Sequence, residues 1–248
     1  VYKGVDTNTG YLVAVKVLWS NISHTDVMQE RFRQEANHYI YLDHPNIVKL
    51  KDFIQKDNTC FLVMEYLEGQ TLENYINHVT GPIPETQAIH IILHVLAGVQ
   101  YAHENHVLHL DLKPSNIMIT KEGNIKLIDF GISVKFLEAN KGHIMGSPLY
   151  MSPEQTEGGA QIDTRSDIYS LGITFFQMLT GTTPLQGNMS RNELFEKIRK
   201  GALPRAKTFY PFVSDQLQEI IDKATRINKK DRYQKATELA DALNNVLR

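Results

Sequence analysis

The chain has 248 residues, enough for one large domain or two lobes, and its 42% apolar and 22% charged residues are ordinary globular composition that argues against disorder. Its 28 acidic and 26 basic residues give no global pull toward nucleic acid or an anionic membrane. The single cysteine, Cys60, cannot close an intramolecular disulfide, and no apolar run approaches bilayer-spanning length, so a reducing, cytoplasmic setting is expected. In chain order, the valine-rich stretch Tyr11 to Leu18 reads as a strand. Met28 to Leu42 carries helical spacing, with Met28, Phe32, Tyr39 and Leu42 on one face. His44-Pro45-Asn46 breaks that helix, and strands are expected near 47–54 and 60–66. Ala88 to Ala102 repeats apolar residues at three- and four-residue steps, a helix with a buried face. Two short strands, Ile117 to Thr120 and Ile125 to Ile128, flank the turn Lys121-Glu122-Gly123-Asn124. Helical patterns then dominate at 167–180, 190–200, 214–226 and 235–247. A small β-rich part followed by a larger helical part is the coarse expectation.

Several polar residues do not suit these patterns as plain surface. Alternation on the first strand puts Ala14 and Lys16 on one face, and a lysine in such a run either has an anionic partner or lies on a solvated edge. Glu35 falls in the apolar arc of the 28–42 helix, where an uncompensated carboxylate is costly, so Lys16–Glu35 is the economical pairing. Asp111, Lys113 and Asn116 lie within six residues beside one short strand, and Asp129 follows the other. A carboxylate, a lysine and an amide so close together exceed what a solvated loop needs. The string His103, Glu104, His106 and His109 resembles a metal-binding run, but the zinc-protease spacing would need histidine at 107, which is valine.

Val13-Ala14-Val15-Lys16, Glu35, the run His109-Leu110-Asp111-Leu112-Lys113-Pro114-Ser115-Asn116, Asp129-Phe130-Gly131 and Ser152-Pro153-Glu154 occur in the order of eukaryotic-type protein kinases, which the chain resembles from first residue to last. Lys113-Pro114-Ser115-Asn116 resembles the serine/threonine branch. Ser152-Pro153-Glu154-Gln155 and the 167–172 segment resemble its bacterial members. The resemblance implies an α+β, bilobal fold, with a β-rich N-lobe over 1–66 lacking its first strand and a mostly helical C-lobe over 67–248. It implies ATP and Mg²⁺ as cofactors and proteins bearing serine or threonine hydroxyls as substrates.

By the same resemblance, Asp111 is the catalytic base, Lys113 touches the γ-phosphate, Lys16 and Glu35 pair to hold the phosphates, and Asn116 and Asp129 carry the metal. Met64 resembles a gatekeeper, Glu65 and Leu67 offer hinge backbone groups, Ala14 and Met118 sandwich the adenine, and Val1 matches the valine that closes the glycine-rich loop. Glu154 should pair with Arg232, Asp167 should brace the catalytic loop, and Tyr39, Leu50, His109 and Phe130 resemble a stacked spine. Two departures stand out. The glycine-rich loop is absent ahead of Val1, read as truncation. Leu110 replaces the arginine that reads a phosphorylated activation loop, and between Ile132 and Gly146 the only hydroxyl is Ser133, so activity independent of phosphorylation within 134–145 is expected.

Overall fold

The structure, a computed structural model, describes residues 1–18, 39–56, 59–129, 147–157 and 162–248. Glu35, Phe130, Gly131, the 134–145 segment and most of the helix expected over 28–42 lie outside the described residues. Of that expected helix residues 39–42 are described: Tyr39 and Ile40 are helical, and the helix has ended by Tyr41, short of the expected Leu42.

Four antiparallel strands open the chain: β1 (Tyr2–Val5), β2 (Leu12–Leu18), β3 (Leu50–Lys56) and β4 (Thr59–Glu65), in the spatial order β1-β2-β4-β3. β-Branched residues and a period of two suit this sheet, and Val13, Leu50, Leu62 and Met64 turn into the core. Register sets Ala14 opposite Met64 and Lys16 opposite Leu62. The strand expected from 47 begins at Leu50; Ile47 instead makes a lone parallel bridge to Leu127. β1 carries a glycine and no clear alternation, which is why its pattern is silent in the sequence.

After Glu65 a second, three-stranded sheet forms from β5 (Gly69–Thr71), β6 (Ile117–Thr120) and β7 (Ile125–Leu127). The β6–β7 turn closes because Gly123 adopts φ 84°, a left-handed value open to glycine at no steric cost. Between β5 and β6 run α1 (Leu72–Tyr75) and the twenty-residue α2 (Glu85–Glu104). The rest is helical: α3 (Pro153–Thr156), α4 (Thr164–Thr180), α5 (Arg191–Lys200), α6 (Ala206–Phe209), α7 (Asp215–Ala224) and α8 (Ala236–Val246). Every residue of α4 from Ser166 to Thr180 is buried, so it is the central post of the helical part. Helix α7 packs so tightly on it that a Cβ at Gly172 would meet Thr225 Cγ2 at 2.7 Å.

One core runs from Leu50, Leu62 and Met64 through α2 and β7 to α4, α7 and α8. The junction is stitched by backbone: Val48 N donates to Leu127 O and Leu127 N to Asn46 O, both at 2.8 Å. This places the loop after β7, and so Asp129, directly beneath the first sheet.

Candidate active site

The loop between α2 and β6 is held in a conformation its residues would not choose. Leu110 has φ 60° and is buried; such a left-handed value costs a non-glycine residue about 1–3 kcal/mol, and Asp129, beyond β7, has a similar φ of 59°. The compensating group is Asp167, in the first turn of α4 and fully buried. Its Oδ1 accepts Leu110 N at 2.7 Å, and its Oδ2 accepts His109 N at 2.9 Å and His103 Nε2 at 2.8 Å. Burial pushes the Asp167 carboxyl up, but the bonds and charge from His103 and His109 outweigh it and hold the group below the usual carboxylate range. Gln155 Nε2 secures the far side of the strained residue by donating to Leu110 O at 3.2 Å.

His109 lies under this loop. Its Nε2 faces the carbonyl of Ile128 at 3.1 Å, which can only accept, so Nε2 carries the hydrogen and Nδ1 is left to accept Asp111 N at 3.3 Å. Burial depresses its pKa below the ordinary imidazole value. The histidine string is therefore divided: His103 serves Asp167 and His109 serves Ile128. Among the described residues no three histidine, cysteine or acidic side chains converge as a metal site.

The loop delivers Asp111. Its Oδ2 receives Lys113 Nζ at 2.8 Å and Asn116 Nδ2 at 2.9 Å, and its Oδ1 receives Ser147 N at 3.1 Å. Asn116 Nδ2 donates also to Asp111 O at 2.8 Å, so both amide hydrogens are used and Asn116 Oδ1 is left as a hard acceptor. Lys113 Nζ reaches Ser147 Oγ at 2.5 Å. Lys16 on β2 pairs with Asp129 at 2.9 Å. Ile128 N bonds Asn116 O at 2.9 Å, setting Asp129 beside Asn116. Residues from 16 to 147 thus meet in one half-buried patch. Ser147 is the member that sequence reasoning missed: nothing in its spacing tied it to Asp111.

The hinge end is apolar. Met64 is buried opposite Ala14, and Met118 stands opposite Thr71 and Lys126. The Leu67 N–H has no partner among the described residues, an unspent donor beside the hinge. Val1 is 77% exposed at the open edge.

Below the loop, Arg232 is 2% exposed and spends all five N–H groups. Nη1 and Nη2 donate to Glu154 Oε1 and Oε2 at 2.8 Å each, and the remaining hydrogens of Nη1, Nε and Nη2 go to the carbonyls of Arg165, Arg226 and Ile227. Burial opposes ionisation of Glu154, yet Arg232 and Ser166 hold its carboxyl below the usual range.

The family description "Protein kinase domain" matches residues 1–244. The chain belongs to the protein kinase family. Within it, the kinase domain is 38% identical over 242 residues to the serine/threonine-protein kinase PrkC of Bacillus subtilis, covering 96% of this chain and 37% of that protein. It is 34% identical over 235 residues to the serine/threonine-protein kinase PknB of Mycobacterium leprae, covering 92% and 37%. The chain therefore spans just over a third of the length of these relatives. The crystal structure of the Mycobacterium tuberculosis PknI kinase domain superposes with a TM-score of 0.79 at 25% identity, covering 98% of this chain and 89% of that one. The fold is the bilobal α+β fold of protein kinases, and the relatives are bacterial serine/threonine kinases. In the kinase domain Tyr39, Leu50 and His109 are all buried. No described helix is long and apolar enough to cross a membrane.

Proposed function

We propose that this domain, with a small lobe over 1–66 and a large lobe over 67–248, transfers the γ-phosphoryl group of ATP to serine or threonine hydroxyls of protein substrates. The observation that carries the reading is the convergence of Lys16, Asp129, Asn116, Asp111 and Lys113 from three separate chain segments. Adenine sits between Ala14 and Met118, with the Leu67 N–H and the Glu65 carbonyl facing its edge and Val1 over its open side. Lys16 meets the phosphates; Glu35, its expected partner, lies outside the described residues. Asn116 Oδ1 and the Asp129 carboxylate are the hard oxygen donors Mg²⁺ prefers, and so few protein ligands leave room for phosphate oxygens to complete the shell. Bound there, Mg²⁺ offsets charge on the phosphates.

Asp111 does the acid–base work. Its two oxygens are oriented by Lys113, Asn116 and Ser147, so a lone pair faces the incoming hydroxyl. As the hydroxyl oxygen bonds phosphorus, its proton passes to Asp111 and the bond from phosphorus to the β–γ bridging oxygen breaks, releasing ADP. Lys113, already between Asp111 and Ser147, moves a short way to follow the transferring group.

The test is incorporation of radiolabelled γ-phosphate into a generic basic protein by the full-length protein and by Asp111→Asn, with nucleotide affinity measured for both. Transfer by the parent, loss in the variant and equal affinity are expected. Equal incorporation by the two refutes Asp111 as base, and binding without transfer by either makes this a nucleotide-binding scaffold.

A further inference from the structure

Lys126 takes no part in the chemistry above, yet it sits where three parts of the nucleotide site meet. It lies on β7 directly opposite Met118 on β6, so the two side chains share a face and the lysine stem runs beside the proposed adenine floor. Its ammonium reaches upward to Glu65 Oε1 at 2.6 Å, with side chains only 18% and 27% exposed. That same oxygen accepts Lys49 N at 2.9 Å, while Glu65 N donates to Lys49 O at 2.9 Å. Glu65 is therefore fastened to the segment before β3 by backbone and side chain together, and to β7 by Lys126. The segment is itself tied to β7 by Asn46, whose Nδ2 donates to Ile125 O at 2.8 Å.

We propose that Lys126 is a positioning residue for ATP: through Glu65 it locks the hinge to the strand that leads to Asp129, fixing the adenine edge relative to the phosphate end. β7 runs Ile125, Lys126, Leu127, and Asp129 follows two residues later, so one short strand carries the hinge tie and leads directly to the phosphate-end carboxylate. Without the tie, Glu65 keeps its bonds to Lys49 and, through the 46–49 segment, an indirect link to β7, but it loses its direct bond to that strand, and the hinge gains room to shift against Met118. A shift there spoils the fit of bound nucleotide before it touches Asp111, which is held separately from α4 by Asp167. The signature is thus in nucleotide affinity and KM for ATP, with kcat spared.

This inference rests on the proposed phosphotransfer reading, and the measurements keep the two apart. Titrate a fluorescent ADP analogue, and measure KM for ATP and kcat, in the parent, Lys126→Met, Lys126→Arg, Glu65→Gln and the Lys126→Met/Glu65→Gln pair. A half-buried charge-assisted bond predicts about a fivefold weakening of nucleotide binding and a matching rise in KM for Lys126→Met, with kcat within about twofold. Lys126→Arg restores affinity, and the double variant is no worse than Lys126→Met. A Lys126→Met protein that melts like the parent and binds nucleotide as tightly overturns the proposal. So does one that gains activity, which would make the bridge a restraint, or one that loses kcat at unchanged affinity. A parent that binds nucleotide without transferring phosphate overturns the phosphotransfer reading alone, since the binding arm still reports on Lys126.

Discussion

Replacing Asp167 with asparagine changes almost no volume and tests how the catalytic loop is held. Three N–H groups converge on the two carboxylate oxygens: His103 Nε2 and His109 N on one, Leu110 N on the other. An amide has only one oxygen. Its better orientation keeps that oxygen toward His103 and His109 and turns the NH₂ against the Leu110 N–H, leaving a buried donor unmet at a cost of about 1–3 kcal/mol. Lost charge assistance on the other two bonds adds roughly 1 kcal/mol. The loop has an escape, because Leu110 at φ 60° stores about 1–3 kcal/mol that relaxes if the backbone swings away. The measured loss of stability should therefore be modest, about 1–3 kcal/mol, and the larger effect should fall on chemistry. A displacement of Asp111 by about an ångström costs on the order of 100-fold in rate. We expect kcat to drop at least about 100-fold while KM for ATP stays within about threefold, since Lys16 and the hinge are untouched. Steady-state kinetics with urea unfolding gives both numbers. A variant with kcat within threefold of the parent would show that the strained loop does not depend on this carboxylate.

Arg232→Met leaves Glu154 buried without its counter-charge and strips three carbonyls of donors; a loss of about 3–5 kcal/mol is expected, and Glu154→Gln in the same chain should recover part of it. Equal unfolding midpoints for parent and Arg232→Met would refute the pairing as a stabilising element. Gly172→Ala gains helix propensity but forces a Cβ to 2.7 Å from Thr225 Cγ2, for a net cost of about 1 kcal/mol that Thr225→Ser should relieve. Stability should fall with pH in two steps. His109 is held neutral, so the unfolded chain takes up its proton first as pH drops below about 6.5; Asp167 and Glu154 are held ionised, so their contribution is full above about pH 4.5 and is lost as pH falls through their lowered folded values. Urea midpoints from pH 8 to 3 read both steps, and a His109→Phe protein should show a smaller first step, left to His44, whose partial burial also lowers its pKa.

The long helices were legible because their apolar spacing is regular: Ala88 to Ala102 sits inside the observed Glu85–Glu104, and the later helices fall within a few residues of their patterns. β1, β5 and α1 were not: each has only three or four residues, too few to show a period, and none has the flanking turn that gave away the equally short β6 and β7. Asp111, Lys113, Asn116 and Asp129 were visible as a dense polar run bordered by short strands. Ser147 and Lys126 were invisible for a different reason. A serine before a proline and a lysine on an alternating strand are ordinary in sequence, and only the fold brings them to Asp111 and Glu65.

The same contrast explains what α4 does. It is buried on every side, yet it carries Ser166, Asp167, Ser170, Thr174 and Gln177, spaced so that they line one face of the helix. Each spends its side chain on the loops above. Ser166 bonds Glu154, Asp167 bonds His109 and Leu110, and Ser170 bonds Tyr150 O. Thr174 bonds Leu112 O, and Gln177 accepts the Tyr150 hydroxyl. A stripe of small polar residues in a fully buried helix is costly unless every one is satisfied, and among the described residues no buried side-chain polar atom is left without a partner. The helix is thus the template on which Asp111 and the 147–157 segment are set in register. Apolar replacements along this stripe should disturb phosphotransfer more than they disturb unfolding, because the packing they gain offsets the bonds they lose, while the loops lose a rigid surface that tells them where to lie.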